Sequence, residues 1–117
     1  MKKKILLAED NLDAAEVLAK LLRLLGFEVE VTHDGYTAIH IANYSIPDFI
    51  LLDIGIPDID GYEAARQIRK NPRCKDSKLI AITGYGQEED RSKSRKAGFD
   101  FHLIKPVGIE ELKKILI

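Results

Sequence analysis

Five short apolar segments recur along the chain, and each is followed by a stretch with helical periodicity. Four of the segments are almost continuously apolar or ring-bearing, which is typical of strands buried on both faces in a parallel sheet. The segment FEVEV alternates strictly, which is typical of a strand with one face in water, as at a sheet edge. The five predicted strands are KILLA (4–8), FEVEV (27–31), FILL (49–52), KLIAI (78–82) and FHLI (101–104).

The gaps between these strands carry helix signals. Apolar residues at 12–25 repeat at the i, i+3, i+4 spacing, and Gly26 ends this first helix. Asp60 and Glu63 form a plausible capping box for the third helix, and the fourth helix has acidic residues at its start and basic residues at its end. The second helix follows Asp34-Gly35, and the fifth covers 109–116.

Strict alternation of strand and helix predicts an α/β fold with right-handed crossovers. With the second strand at an edge, we expect a doubly wound, five-stranded parallel sheet in the order 2-1-3-4-5, a flavodoxin-like (βα)5 architecture. The 117 residues suit a single domain spanning 1–117. Such sheets bind ligands beyond the carboxyl ends of their strands.

Charge and cysteine content limit the possible classes of protein. The net charge is −1, from 18 basic and 19 acidic residues, so nothing indicates direct nucleic-acid or membrane binding. The apolar run behind the N-terminal MKKK is too short for a signal peptide or a membrane span, and we expect a cytoplasmic location. Cys74 is the only cysteine, which excludes an internal disulfide and predicts a surface or semi-buried thiol.

Polar side chains follow four of the predicted strands. Glu9 and Asp10 come after the first, Asp53 ends the third, Thr83 ends the fourth and Lys105 follows the fifth. Because parallel strands end at the same edge, three carboxylates should converge there. Two unit charges about 4 Å apart repel by about 4 kcal/mol at an effective dielectric near 20. The cluster therefore predicts a cation, and oxygen ligands with room for water suit Mg²⁺.

The same residues suit phosphoryl transfer. An aspartate can act as a nucleophile toward phosphorus and form an aspartyl-phosphate. In-line transfer mainly requires positioning and neutralisation of charge, which Mg²⁺ and Lys105 would supply while Thr83 donates a hydrogen bond to a phosphoryl oxygen. Taken singly, each residue is more often a turn, cap or solvated strand end. Their joint placement at four strand ends favours the functional interpretation.

Two other classes are disfavoured. A phosphatase of the haloacid dehalogenase type places a second Asp two residues after the nucleophile, where this chain has Gly55, and its nucleophile normally follows the first strand. A flavodoxin-type flavin module needs a hydroxyl- and glycine-rich phosphate loop after the first strand. This chain has AEDNLD there, and it contains no GxGxxG or GxxxxGK motif.

The motifs LLAEDN, ILLDIGIPDIDGYEAARQIR, IAITGYG and HLIKP resemble those of the receiver domains of two-component response regulators, and the resemblance spans Lys4 to Leu116. Two longer stretches, 53–69 and 83–106, look most like receivers at the ends of hybrid sensor histidine kinases. Both a stand-alone regulator and such a terminal receiver remain open.

The resemblance implies roles for individual residues. Asp53 would be the phosphoacceptor, and Mg²⁺ would be held by Asp10 directly, by Glu9 largely through water, by Asp53 and by the carbonyl of Gly55. Thr83 would be the switch hydroxyl. Lys105 would pair with the phosphoryl group and precede a cis bond to Pro106.

The chain departs from the family pattern at two positions, and the resemblance also implies partners. The switch aromatic, usually Tyr or Phe, is His102 here, and Val107-Gly108 replaces the usual aromatic after the Lys-Pro pair. The phosphodonor would be a histidine kinase or a histidine phosphotransfer protein. A downstream protein would bind the surface of the fourth helix, fifth strand and fifth helix. The domain would catalyse its own phosphorylation and dephosphorylation. The alternative is a receiver-like interaction module that is never phosphorylated.

Overall fold

The sheet has the predicted topology. The computed structural model describes residues 2–84 and 88–117, with the backbone only at 88–91. All neighbouring strands are parallel, and their order is β2-β1-β3-β4-β5, which confirms the predicted doubly wound arrangement. The strands are β1 (Lys4–Ala8), β2 (Glu28–Thr32), β3 (Phe49–Asp53), β4 (Lys78–Thr83) and β5 (Phe101–Ile104).

A helix follows each strand. The side chains of Asn11, Asp34 and Asp60 cap the first three helices by accepting backbone N–H bonds. Asp60 bonds to the amide of Tyr62, whereas the Glu63 carboxylate accepts from Arg66 and Gln67 on its own helix. The helices are α1 (Leu12–Leu24), α2 (Gly35–Ser45), α3 (Gly61–Arg69), α4 (Glu88–Ala97) and α5 (Ile109–Leu116), with a short 3₁₀ turn at Pro72–Cys74 that the sequence analysis did not predict. The acidic side chains expected at the start of α4 lie outside the described residues.

The core forms two apolar clusters, one on each face of the sheet. Alternate residues of β1 point to opposite faces, so Ile5 and Leu7 join one cluster while Leu6 and Ala8 join the other. Residues of α1 and α5 complete the first cluster, and residues of α2, α3 and α4 complete the second. All five residues of β3 are buried, which makes this strand the rigid centre of the fold.

One of the four strands predicted to be buried on both faces is not. In β5 only Leu103 is fully buried, and Phe101 is 40% exposed. The strand lies at the free edge of the sheet, so it has a neighbour on one side only, and ring-bearing residues there meet solvent as well as the core. The alternating pattern of β2 did indicate its edge position correctly.

The prediction for Cys74 is also wrong. Its side chain is fully buried, and Sγ lies 3.5 Å from the carbonyl oxygen of Ala42. The 3₁₀ turn that contains Cys74 folds back against α2 and α3, and this contact cannot be read from the polar residues around it in the sequence. Among the described residues, no helix has the length and apolar character needed to span a membrane.

Candidate functional site

The site lies at the carboxyl edge of the three central strands and β5. Glu9 and Asp10 follow β1, Asp53 is the last residue of β3, Thr83 is the last residue of β4, and Lys105 follows β5. Because the strands are parallel and in register, these positions meet at one edge of the sheet. The predicted convergence of strand-end residues is therefore present in the structure.

The turn after β1 holds the first two acids in place. The Glu9 amide extends the β1–β2 pairing by donating to the carbonyl of Thr32 over 3.0 Å. Two residues later, Asn11 caps α1, and its Oδ1 accepts from the amide of Ala14 at 2.9 Å. The Asn11 amide also donates to Glu9 Oε2 at 3.2 Å, so the turn fixes the orientation of the Glu9 carboxylate.

Lys105 joins two buried carboxylates. Its Nζ lies 2.7 Å from Asp53 Oδ2 and 3.2 Å from Glu9 Oε1. The carboxylate side chains are 6% and 5% exposed, whereas the lysine side chain is 39% exposed. The second oxygen of Asp53, Oδ1, accepts the amide of Gly55 at 2.8 Å. Both Asp53 oxygens therefore have a fixed donor.

The two buried carboxylates differ in their affinity for protons. Burial, followed by a hydrogen bond to Asp53, raises the pKa of Glu9 to about 7. Burial also opposes ionisation of Asp53, but hydrogen bonds from Glu9, Lys105 and Gly55 outweigh it and lower the Asp53 pKa below its usual value. Asp53 is therefore the stronger acid of the pair and is negatively charged at neutral pH, as a nucleophile must be.

Three carboxylates form a cluster with the dimensions of a metal site. Ligand oxygens of Glu9, Asp10 and Asp53 all lie within 4.8 Å of one another. Glu9 and Asp53 are buried, while Asp10 is exposed and leaves the cluster open on the solvent side. A donor set of oxygen atoms only, with space for water, suits a hard divalent cation.

Two other predicted residues border the cluster. Thr83 is 4% exposed and follows Ile82, the residue paired with Asp53 across the β3–β4 ladder. Its carbonyl accepts the amide of Lys105 at 2.8 Å, which fixes the backbone where the lysine emerges. The Lys105–Pro106 peptide bond is cis, as the resemblance implies.

His102 lies away from the carboxylates, in the middle of β5. Its Nδ1 is 3.1 Å from the hydroxyl of Ser94 on α4, and Ser94 is 2% exposed. The half-buried ring thus links the edge strand to α4. Because of this contact, a movement of α4 would change the surroundings of the His102 ring.

One site neighbour was missed by the sequence analysis. His33 follows β2, and its Nδ1 donates to the backbone carbonyl of Glu9 at 2.9 Å. The signal that could have identified it is its position, because it stands just beyond a strand end at the same edge of the sheet.

An apolar groove opens beside the cluster. It runs between α1 and the segment after β5, has a volume of about 570 Å³, and reaches Glu9 and Lys105 at one end. Its apolar wall includes Val17, which is 68% exposed, together with Leu21 and Val107. The periodic apolar residues that predicted α1 gave no indication of this groove.

Curated relatives share this part of their sequence with the chain. A probable transcriptional regulator, ycf27, of Guillardia theta is 31% identical over 112 residues, 96% of this chain and 43% of the relative. The transcriptional regulatory protein CusR of Escherichia coli is 34% identical over 109 residues, 93% of this chain and 47% of the relative. The chain thus spans less than half the length of these relatives.

Solved structures match over almost the whole chain. The receiver domain of a sensor histidine kinase from Pseudomonas aeruginosa, with a magnesium ion coordinated in its active-site cleft, superposes with a TM-score of 0.90 at 36% identity, covering 98% of this chain and 94% of that one. A response regulator from Burkholderia pseudomallei, with a phosphorylated aspartic acid and a calcium ion, gives 0.89 at 25% identity, covering 99% and 67%. The family model of the response regulator receiver domain matches residues 5–117. This chain therefore belongs to the response regulator receiver domain family.

Proposed function

We propose that residues 1–117 form one receiver domain that accepts a phosphoryl group on Asp53 in a two-component signalling system. The observation that carries the proposal is the contact of a buried, anionic Asp53 with Lys105 at 2.7 Å, beside two further acids. The phosphorylated aspartate and the bound magnesium of the two matched structures support it by analogy.

The residues divide the chemistry among them. An oxygen of Asp53 attacks the phosphorus of a phosphohistidine, the P–N bond breaks as the P–O bond forms, and the leaving imidazole takes a proton from solvent. Gly55 and Lys105 orient the attacking carboxylate. When bound, Mg²⁺ supplies positive charge to the phosphoryl oxygens, and Glu9, Asp10, Asp53 and the Gly55 carbonyl would hold it.

The same groups would also return the domain to its starting state. Lys105 and Thr83 would hold the phosphoryl oxygens while water attacks phosphorus and the P–O bond to Asp53 breaks. The domain would in this sense catalyse both its own phosphorylation and its own dephosphorylation. Lys105, together with Mg²⁺ when the carboxylate cluster holds it, would neutralise the phosphoryl charge in either direction.

The switch would begin at Thr83. Its hydroxyl would donate to the phosphoryl group on the neighbouring strand, and His102 would leave Ser94 and turn inward. Loss of the 3.1 Å contact would remove one side-chain link between β5 and α4. A downstream protein would read this change at α4, β5 and α5, where a cavity of about 280 Å³ is lined by Ser94, Phe101, His102 and Ile115.

The phosphodonor would be a histidine kinase or a histidine phosphotransfer protein, docked in the groove along α1. The groove reaches Glu9 and Lys105, so a helix seated in it could present a phosphohistidine to Asp53. Val17→Asp should slow transfer from a phosphorylated histidine phosphotransfer domain but not from phosphoramidate, which needs no docking. Tyr44→Asp, at an 85% exposed residue of α2, is the matched control.

The central experiment is intact-mass analysis after incubation with phosphoramidate and Mg²⁺. We expect one added phosphoryl group in the wild type and in Asp48→Asn, whose acid precedes the same strand. Asp53→Asn should remain unmodified. A wild type that stays unmodified with both phosphoramidate and a phosphohistidine donor would instead favour the interaction module that is never phosphorylated.

A further inference from the structure

The loop that follows Asp53 is held at two points. At its base, the amide of Gly61 donates to the carbonyl of Ile54 at 3.4 Å. At its tip, the Asp58 carboxylate accepts two amides from the start of α2. Oδ1 accepts the amide of Gly35 at 2.7 Å, and Oδ2 accepts the amide of Tyr36 at 2.9 Å. The tip is thereby tied to the start of α2, at two residues that lie 23 and 22 positions earlier in the chain.

The contact between loop and helix is close because Gly35 has no side chain. A Cβ at this position would collide with the Ile59 side chain and lie 2.8 Å from Ile56 Cδ1. Ile56 is only 5% exposed, so the apolar part of the loop is packed beneath the Asp58 bonds. Polar and apolar contacts together set the position of the loop.

The position of this loop matters to the site because Gly55 belongs to it. The Gly55 amide holds Asp53 Oδ1 at 2.8 Å, and the proposed function assigns the Gly55 carbonyl to Mg²⁺. Gly55 lies between the base of the loop and Asp58, three residues from the latter. A shift of the tip would therefore turn the Gly55 peptide, whose amide orients the phosphoacceptor and whose carbonyl would help to hold Mg²⁺.

We propose that Asp58 is a positioning residue of the phosphoacceptor site, acting through Gly55. This inference rests on the proposed function. The amides of Gly35 and Tyr36 overcome the effect of burial and lower the pKa of Asp58, so its carboxylate is charged at neutral pH. Charged acceptors form stronger hydrogen bonds to backbone amides than neutral ones do.

Asp34 provides a control on the same helix. It is the N-cap of α2, and its Oδ1 accepts the amide of Thr37 at 2.7 Å. Its side-chain bonds stay within the start of α2, whereas those of Asp58 cross to another segment. Asp34→Ala and Asp58→Ala each remove a carboxylate from the same helix end, but only Asp58→Ala frees the loop.

The test measures Mg²⁺ affinity by titration and the Gly55 amide proton signal by NMR without metal. Asp58→Ala should weaken Mg²⁺ binding by about tenfold, the lower range for residues that orient metal ligands. It should also move the Gly55 amide signal upfield as the bond to Asp53 weakens. Asp34→Ala should leave both values near wild type. Asp58→Asn, which keeps one acceptor oxygen, should be intermediate and provides a milder variant should Asp58→Ala fold poorly.

Asp58→Ala or Asp58→Asn with wild-type Mg²⁺ affinity, or with an unchanged Gly55 signal, would overturn the inference. Equal losses in Asp34→Ala would overturn it too, because they would indicate a general effect of α2. Both readouts use unphosphorylated protein. Failure of Asp53 to accept a phosphoryl group would therefore refute the proposed function without removing the test of Asp58.

Discussion

The two buried carboxylates of the site should depend on Lys105 whenever metal is absent. The ammonium lies 2.7 Å from Asp53 and 3.2 Å from Glu9. Lys105→Met keeps most of the apolar stem and removes the charge, which leaves two buried acids facing each other. We therefore expect the variant to have a lower free energy of unfolding in the presence of a chelator.

The size of the effect follows from the exposure of the three side chains. Breaking a fully buried ion pair costs about 3–5 kcal/mol, whereas exposed pairs contribute about 0.2–1 kcal/mol. The carboxylates are 6% and 5% exposed, but the lysine is 39% exposed, so solvent screens part of the interaction. A loss of about 2 kcal/mol at pH 8 lies between these limits.

Lys20→Met is the matched control. Lys20 lies 3.1 Å from Glu16, but the two side chains are 70% and 65% exposed, so removing this charge should change stability far less. Urea unfolding followed by circular dichroism is the appropriate measurement, because the chain contains no tryptophan.

Addition of Mg²⁺ provides the second part of the assay. A ligand at 100 times its dissociation constant stabilises a protein by about 2.7 kcal/mol. In Lys105→Met the metal would meet two acids without a competing ammonium, so the stabilisation by Mg²⁺ should exceed that of the wild type. The reasoning is refuted if Lys105→Met is as stable as Lys20→Met in chelator, or if Mg²⁺ stabilises it no more than it stabilises the wild type.

Three further predictions concern stability, pH and thiol reactivity. Arg69→Met should lower the free energy of unfolding by about 3 kcal/mol, because the guanidinium donates to three backbone carbonyls and to Asp100. Arg66→Met on the same helix should have little effect, and equal losses in urea unfolding would contradict this view. Metal-free protein should lose stability as pH rises from 4.5 to about 7, because burial raises the pKa of Glu9 in the folded state and makes it bind its proton more tightly than in the unfolded chain. Glu9→Gln should remove that slope in urea titrations at several pH values. Burial also raises the pKa of the Cys74 thiol, so an aromatic disulfide reagent should react with it only on unfolding. Equal reaction rates in native buffer and in urea would show that the thiol is accessible.

The sheet could be predicted because its signals are local. The buried run of β3 and the alternation of β2 reflect how many faces of each strand are covered, and strand order follows once one edge is known. The predicted burial of β5 was too high. A short segment of apolar and ring-bearing residues looks the same in sequence whether the strand lies at an edge of the sheet or in its centre. Cys74 was misplaced because its burial depends on α2, more than 30 residues away.

Much of the site could be predicted as well. Parallel strands bring their carboxyl ends to one edge, so the order of residues in the chain was sufficient to place Glu9, Asp10, Asp53 and Lys105 together. The sequence pattern does not indicate which hydrogen-bond or packing partner each side chain has at that edge. The bond from His33 to Glu9 and the groove beside α1 were therefore missed.

The sequence by itself thus determined the alternation of elements, the strand order and the residues that stand at the strand ends, because these depend on periodicity and on the direction of parallel strands. Only the tertiary structure decided that Glu9 holds its proton more tightly than Asp53 does, since that depends on burial and on distances to Lys105. It also decided that the Asp58 carboxylate accepts two amides at the start of α2. The same is true of the Arg69 guanidinium, which bonds to Cys74, Gly98 and Asp100. Such contacts unite residues far apart in the chain, and packing of the whole domain selects them.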